Sequence, residues 1–187
     1  MQIVGKHVVL RDEIQETDYE DFFRWHNLAE WNYYDEPDAP FKSMTREESE
    51  TRRKLPKKTT SASHSWQIDT VQGKHIGWVN YYQLDEQAGY AYVGIDLPEP
   101  ETWGKGFGTE AVRVVVDYLF CEMGLQRVRT KTWTGNKRMR RVAEKVGFQE
   151  IARSPHRTAF SVRGEPLEFM EYEISRAEWF ALPSDNA

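Results

Sequence analysis

Residues 112–123 constrain this chain more than any other stretch. Val112, Val115, Val116, Leu119, Phe120 and Met123 recur at i, i+3, i+4, i+7, i+8 and i+11. That is the single apolar stripe of a helix laid on a core. Glu110, Arg113 and Asp117 lie off the stripe, and Gly124 is a suitable stop. On both sides the period changes to two: "YAYVGIDL" (90–97) comes before and "RVRTKTW" (127–133) after. Strand–helix–strand in this order predicts a parallel crossover.

The rest of the chain extends that unit. "SWQIDTV" and "HIGWVNYYQL" read as strands joined by a turn at Gly73, and "DEQAG" turns the chain again, so the middle is an antiparallel meander. Val8 to Arg11 is a short β-like run. "TDYE" (17–20) matches a capping box and predicts a helix to about Asn27 that buries Phe22, Phe23 and Trp25. "EWNYYDEPDAPF" (30–41) reads as a loop, and "TREE" (45–48) opens a helix that stops before Pro56. Downstream, Asn136 caps a helix with Met139, Val142, Ala143 and Val146 on its apolar face and Gly147 as its stop. "FQEIA" and "EFMEYEI" are two more strands, followed by a short amphipathic end. The expected class is α/β: one domain over 1–180 with a polar tail at 181–187, built on a mixed, mostly antiparallel sheet with helices on both faces.

Composition removes several functions. Lys and Arg number 25 against 30 Asp and Glu, a net charge of −5. That argues against non-specific nucleic-acid binding, which rests on neutralising phosphates. Cys121 is the one cysteine, so no internal disulfide forms, which fits a reducing cytoplasm. "MQIVGKHVVLRDE" lacks a signal-peptide pattern, and no apolar run approaches the ~20 residues of a membrane span. His7, His26, His64, His75 and His156 are scattered without metal-ligand spacing, so no metal site is expected.

"WGKGFGTEA" (103–111) carries the chemistry. Its spacing misses the dinucleotide fingerprint, whose third glycine would fall at Thr109, and it misses the P-loop. A glycine turn that merely starts a helix is the structural alternative. Yet the run opens the strongest helix, whose first N–H groups lack internal partners, and Lys105 adds positive charge. A diphosphate suits such a place.

With "GIDLPEPETWGKGFGTEAVRVVVDYLF" before and "TGNKRMRRVAEKVGF" after, the chain resembles the GCN5-related N-acetyltransferases (GNAT superfamily). Gly106 and Gly108 fill the two small positions of the family's acetyl-CoA motif, and Trp103 replaces its usual Gln or Arg. "EKVGF" is similar to the branch acting on ribosomal-protein N-termini, and "GID" to the aminoglycoside 6′-N-acetyltransferases. The resemblance covers nearly the whole chain. It implies acetyl-CoA as cosubstrate and attack of an amine on the thioester. It implies that Trp103, Gly104, Lys105, Gly106, Phe107, Gly108 and Thr109 bind the CoA diphosphate. Ile95 and Leu97 would hold the pantetheine and acetyl carbonyl through backbone groups, and Asn136 would contact the pantetheine. Arg138 and Arg141 would meet the 3′-phosphate.

Asp96 ends its strand on the face carrying Tyr90, Tyr92 and Gly94. It matches an acidic position for which the aminoglycoside branch suggests a base. Its alternatives are a plain strand-end cap or a carboxylate that holds the substrate's ammonium. The family's frequent general-acid tyrosine is Ala143 here, and a serine of the ribosomal-protein branch is Met139. Tyr92 is then a candidate acid, with water as the alternative. Trp25, Trp31, Tyr33, Tyr34 and Asp35 supply aromatic and acidic side chains for a cationic amine. The acceptor is read as a small amine, with a protein N-terminus as the alternative and a non-catalytic CoA-binding module as a third reading. The sequence leaves the oligomeric state open, a homodimer included.

Overall fold

The computed structural model describes residues 1–55 and 62–183. Eight strands form one sheet: β1 (Gln2–Val4), β2 (Val8–Arg11), β3 (His64–Thr70), β4 (His75–Asp85), β5 (Tyr90–Asp96), β6 (Arg127–Trp133), β7 (Gln149–Phe160) and β8 (Pro166–Ser175). Their spatial order is β1-β2-β3-β4-β5-β6-β8-β7. The helices are α1 (Asp18–His26), α2 (Ala29–Asp35), α3 (Arg46–Lys54), α4 (Phe107–Cys121), α5 (Lys137–Val146) and α6 (Arg176–Ala181). Neighbouring strands pair antiparallel except β5 with β6. The α/β class, the meander and the crossover through α4 are as expected. The second crossover, through α5, skips a place, because β8 inserts between β6 and β7.

The stripe on α4 does what its period demands. Val112, Val115, Val116, Leu119 and Phe120 are fully buried against strand residues such as Val79, Val93 and Val128. Each such side chain contributes roughly 1.5–3 kcal/mol when buried. Met123 lies past the helix end and is only partly buried. The opposite face carries α1 and α2, whose Trp25 and Trp31 pack 5.9 and 5.6 Å from the Trp78 ring of β4.

Several local expectations change. Thr17 has helical dihedrals and makes no side-chain cap bond. The entry to α1 is set instead by a bidentate ion pair, Arg11 to Asp18, with both contacts at 2.8 Å and Asp18 also accepting from the Gln15 N–H at 2.7 Å. Of Phe22, Phe23 and Trp25, only Trp25 is buried; Phe22 and Phe23 are half-buried. The supposed loop at 30–41 contains α2, which has no side-chain cap and is held by burying Trp31 and Tyr33. β1 was not anticipated, and β7 runs eight residues past "FQEIA", to Phe160. The box at 45–48 does form, with Thr45 Oγ1 accepting from Glu48 N and Glu48 accepting from Thr45 N. Residues 184–187 of the expected tail lie outside the described residues.

Candidate active site

The site begins where two strands part. β5 and β6 pair only over Tyr90–Arg127, Ala91–Val128 and Tyr92–Arg129. Thr130 Oγ1 then donates to the Val93 carbonyl at 2.9 Å, and no β5–β6 pairing follows. Since the Val93 carbonyl faces β6, the strand's alternation turns the backbone groups of Ile95 and Leu97 into the same gap. β4 stays paired with β5 on the other side through Trp78–Asp96. A cavity of about 830 Å³ lies at this fork and reaches from the glycine run to α2.

The glycine run forms the cavity's first wall. Gly104 and Gly106 have φ of +75° and +91°, a left-handed backbone that side chains resist. A Cβ at either would meet nothing within 4 Å, so the space above them is open. Gly108 differs: a Cβ there would sit 3.4 Å from Leu97 and 3.7 Å from Ile95 and Val142, filling the cleft floor. Among the described residues, the N–H groups of Gly104 to Thr109 find no acceptor. Six free donors at the positive end of α4 make an anion cradle. Asn136 caps α5 by accepting from Met139 N at 3.1 Å, and it lines the same cavity.

Asp96 forms the second wall at the fork. The Trp31 indole N–H lies 3.3 Å from Oδ1, and the Trp78 indole also bonds the carboxylate. Burial raises its pKa to about 7, and the charge of Asp35 adds to the rise, while the two indoles oppose it. Burial pushes the Asp35 carboxyl up as well, with Glu36 adding repulsion. An acid that ionises near neutral pH is suited to take a proton there.

The cavity gathers most of the expected residues: Ile95, Asp96, Leu97, Trp103, Gly104, Gly106, Gly108, Thr109, Asn136, Arg138 and Arg141, with Trp31, Tyr34 and Asp35 opposite. Five do not line it. Tyr92 lies below the fork, where β5 and β6 are still paired, and its hydroxyl donates to Glu171. Trp25 is fully buried and donates to Glu99 at 2.9 Å, so it supports Trp78 from beneath and is closed to substrate. Tyr33 is buried against Trp133 and Leu167, with Tyr34 packed on the same cluster between it and the cavity's lining. Lys105 is exposed beside the cradle, and Phe107 packs onto the core. The fold also brings His75 to Asp18 and Asp21, with ligand atoms within 4.8 Å of one another, although Arg11 already engages Asp18.

Sequence reasoning missed the contribution of β4. Asn80 and Tyr82 line the cavity, and with Trp78 they stand opposite Gly94, Tyr92 and Asp96. A Cβ on Gly94 would lie 2.8 Å from Asn80 Oδ1 and 3.3 Å from the Tyr82 ring, so the glycine makes room for both. Burial, then the nearby Tyr92, pushes the Tyr82 hydroxyl up to about 12. Gly77 carries Asp96 closely: a Cβ there would sit 2.0 Å from the Asp96 carbonyl oxygen. The hairpin register would have pointed to these residues, but a bulge hides it. Asp85 pairs with Tyr90, and counting back from there places Gln83 opposite Tyr92; the shift at Gln83 (φ 51°) puts Tyr82 there instead. A one-residue slip exchanges the two faces of a strand.

A strand fork, an anion cradle at a helix start and an acid beside the fork make a site suited to transferring a group from an anionic donor. The Acetyltransferase (GNAT) domain family matches residues 7–149, and the chain belongs to that family. Over 86 residues it is 33% identical to the N-acetyltransferase YoaA of Bacillus subtilis, covering 46% of this chain and 48% of that one. Over 107 residues it is 31% identical to YdaF of Bacillus subtilis, named as a ribosomal N-acetyltransferase, covering 57% of each. The matched stretch thus spans about half the length of these relatives. Among solved structures, the spermidine N-acetyltransferase from Vibrio cholerae in complex with CoA and spermine shares the fold, with a TM-score of 0.73 at 19% identity over 94% of this chain and 99% of that one. Among the described residues no helix is long and apolar enough to cross a membrane.

Proposed function

We propose that this chain transfers an acetyl group from acetyl-CoA to the primary amine of a small cationic molecule, in the cytoplasm, by direct attack on the thioester. The observation that carries this reading is Asp96, which stands at the fork with its ionisation moved to about 7. Free alkyl amines titrate at about 10, so the acceptor arrives as an ammonium. Asp96 takes its proton, directly or through one water. The amine nitrogen then bonds the acetyl carbon, the carbon–sulfur bond breaks, and the nitrogen gives up its second proton, directly or through water, to the departing CoA thiolate. The gap-facing N–H groups of Ile95 and Leu97 can donate to the carbonyl oxygen as it gains charge.

Binding divides along the cavity. The diphosphate lies on the N–H groups of Gly104 to Thr109, and Asn136, Arg138 and Arg141 serve the rest of the cofactor. Trp31, Tyr34, Tyr82, Asp35 and Glu36 wall the acceptor half, where aromatic faces and carboxylates favour a cation. The likeness to YdaF favours a protein N-terminus as the second reading. The deciding experiment is thiol release from acetyl-CoA with a panel of polyamines, aminoglycosides and short peptides. Turnover with multiply charged amines is expected, and peptides should be poor acceptors. Exclusive use of peptides would replace this acceptor by the second, and no release with any member would remove the activity.

A further inference from the structure

The residues that join the two halves of the cleft stand in one stack. The Arg138 guanidinium lies 3.4 Å from the Trp103 ring centre and 3.8 Å from the Tyr34 ring centre. Trp103 belongs to the glycine run, Arg138 to the first turn of α5, and Tyr34 to α2, and all three line the same cavity. Trp103 is also pinned to β5, its indole N–H donating to the Leu97 carbonyl at 2.6 Å. That carbonyl is one of the backbone groups turned into the gap, so the indole occupies a partner that a pantetheine amide needs. Tyr34 is held from behind, its carbonyl accepting from the Trp133 indole at 3.1 Å. Arg138 itself donates no hydrogen bond to any described residue and has no ion pair, although Glu30, whose own partner is Arg163, senses its charge.

We infer that Trp103, Arg138 and Tyr34 form a latch across the pantetheine lane, and that the phosphates of acetyl-CoA open it. This rests on the cofactor reading above. Arg138, with its donors free, lines the same cavity as Gly104, Gly106, Gly108 and Thr109. A guanidinium gains more from a charge-assisted fork to a phosphate than from two aromatic faces. When Arg138 turns to the phosphate, the stack loses its middle member. Trp103 is then free to leave the Leu97 carbonyl to the pantetheine, and Tyr34 is released toward the acceptor half. The charged end of the cofactor thereby admits its own reactive end, and a thioester without phosphates meets a closed lane.

The test compares CoA with pantetheine, which keeps the arm and lacks the phosphates. Binding is read by calorimetry and by tryptophan emission, with Trp103→Phe identifying the Trp103 signal. In the wild type, CoA should change the Trp103 emission and pantetheine should not. Arg138→Ala should bind CoA about tenfold more weakly and pantetheine severalfold more tightly, at an unchanged melting temperature. Arg138→Lys keeps the charge without the flat stack, and it should retain more CoA affinity than Arg138→Ala while also binding pantetheine more tightly than wild type. The opposite signs are the mark of a latch. Loss of affinity for both ligands in Arg138→Ala, or no change for pantetheine, overturns it while leaving the cofactor reading intact. Failure of CoA to bind the wild type overturns both.

Discussion

Under the proposed function, the half of the cleft given to the cofactor is made of backbone, and the half given to the acceptor is made of side chains. In the first, free N–H groups from Gly104 to Thr109 line up at the start of α4, and the residues there matter mostly by having no side chain. In the second, Asp96 from β5, Trp78 from β4 and Trp31 and Asp35 from α2 meet through tertiary packing. A backbone cradle needs contiguous residues of special conformation, so it leaves a short motif. A side-chain pocket draws from distant segments and leaves none. The two halves should accordingly fail in different ways.

The largest effect expected is on the acceptor side. Asp96→Asn should lower turnover by about 10²–10⁴, the usual contribution of a positioned base, with acetyl-CoA affinity nearly unchanged. Wild-type turnover should rise with pH around the Asp96 ionisation at about 7, and the variant should lose that limb. The same group leaves a trace in stability. Asp96 ionises at about 7 in the fold and near its ordinary 3.8 when unfolded, so between these values the unfolded chain holds fewer protons. Stability therefore falls as pH rises through that window. Asp96→Asn should thus be more stable than wild type at pH 8, by roughly 1–3 kcal/mol, and not at pH 3. Equal turnover, or equal melting at both pH values, would remove the base from Asp96.

Gly106→Val probes the other half. The left-handed φ of +91° resists a β-branched residue, and the new methyls enter the open space above the cradle. Acetyl-CoA affinity should fall about 100-fold, while the acceptor half is untouched. Calorimetry with CoA reads this directly. If CoA binds Gly106→Val as it binds the wild type, the diphosphate does not lie on this loop.

Gly77→Ala sharpens the contrast, because it is a glycine that serves a side chain. The added Cβ would come 2.0 Å from the Asp96 carbonyl oxygen, so β4 and β5 must part there. A cost of about 1–3 kcal/mol in stability is expected, with turnover falling about tenfold and CoA affinity kept. Denaturant melts with parallel CoA titrations separate these outcomes. A loss of CoA affinity equal to the loss of turnover would mean that the two halves are not independent at this point.

The legibility of the sequence divides along the same line. The stripe on α4, the strand at 127–133 and the Asn136 cap are local patterns, and they stand where their periods put them. Asp96 was legible because it closes the strand that leads into the motif. Asn80 and Tyr82 were not, since a bulge at Gln83 shifts the register that would have placed them. α2 was not either: its "EWNYYDEPD" has no cap, and its helical state comes from burying Trp31 and Tyr33. Trp25 and Tyr33 show the complementary error, in which an aromatic near the site in sequence turns inward and serves packing.

The smallest effect concerns two identical-looking signals. "TDYE" and "TREE" both spell a capping box, but only Thr45 carries one. At Thr45 nothing else competes: α3 buries none of its residues, and the local bonds decide. At Thr17 the buried Arg11–Asp18 pair dictates how the chain enters α1, and Thr17 takes helical dihedrals that disallow a cap. Thr45→Ala should therefore cost about 0.5–1 kcal/mol, or less if α3 frays independently of the core, while Thr17→Ala should change melting by under ~0.3 kcal/mol. Amide exchange in α3 would register the first change even where global melting does not. A larger loss at Thr17 than at Thr45 would mean that local capping, and not the ion pair, starts α1.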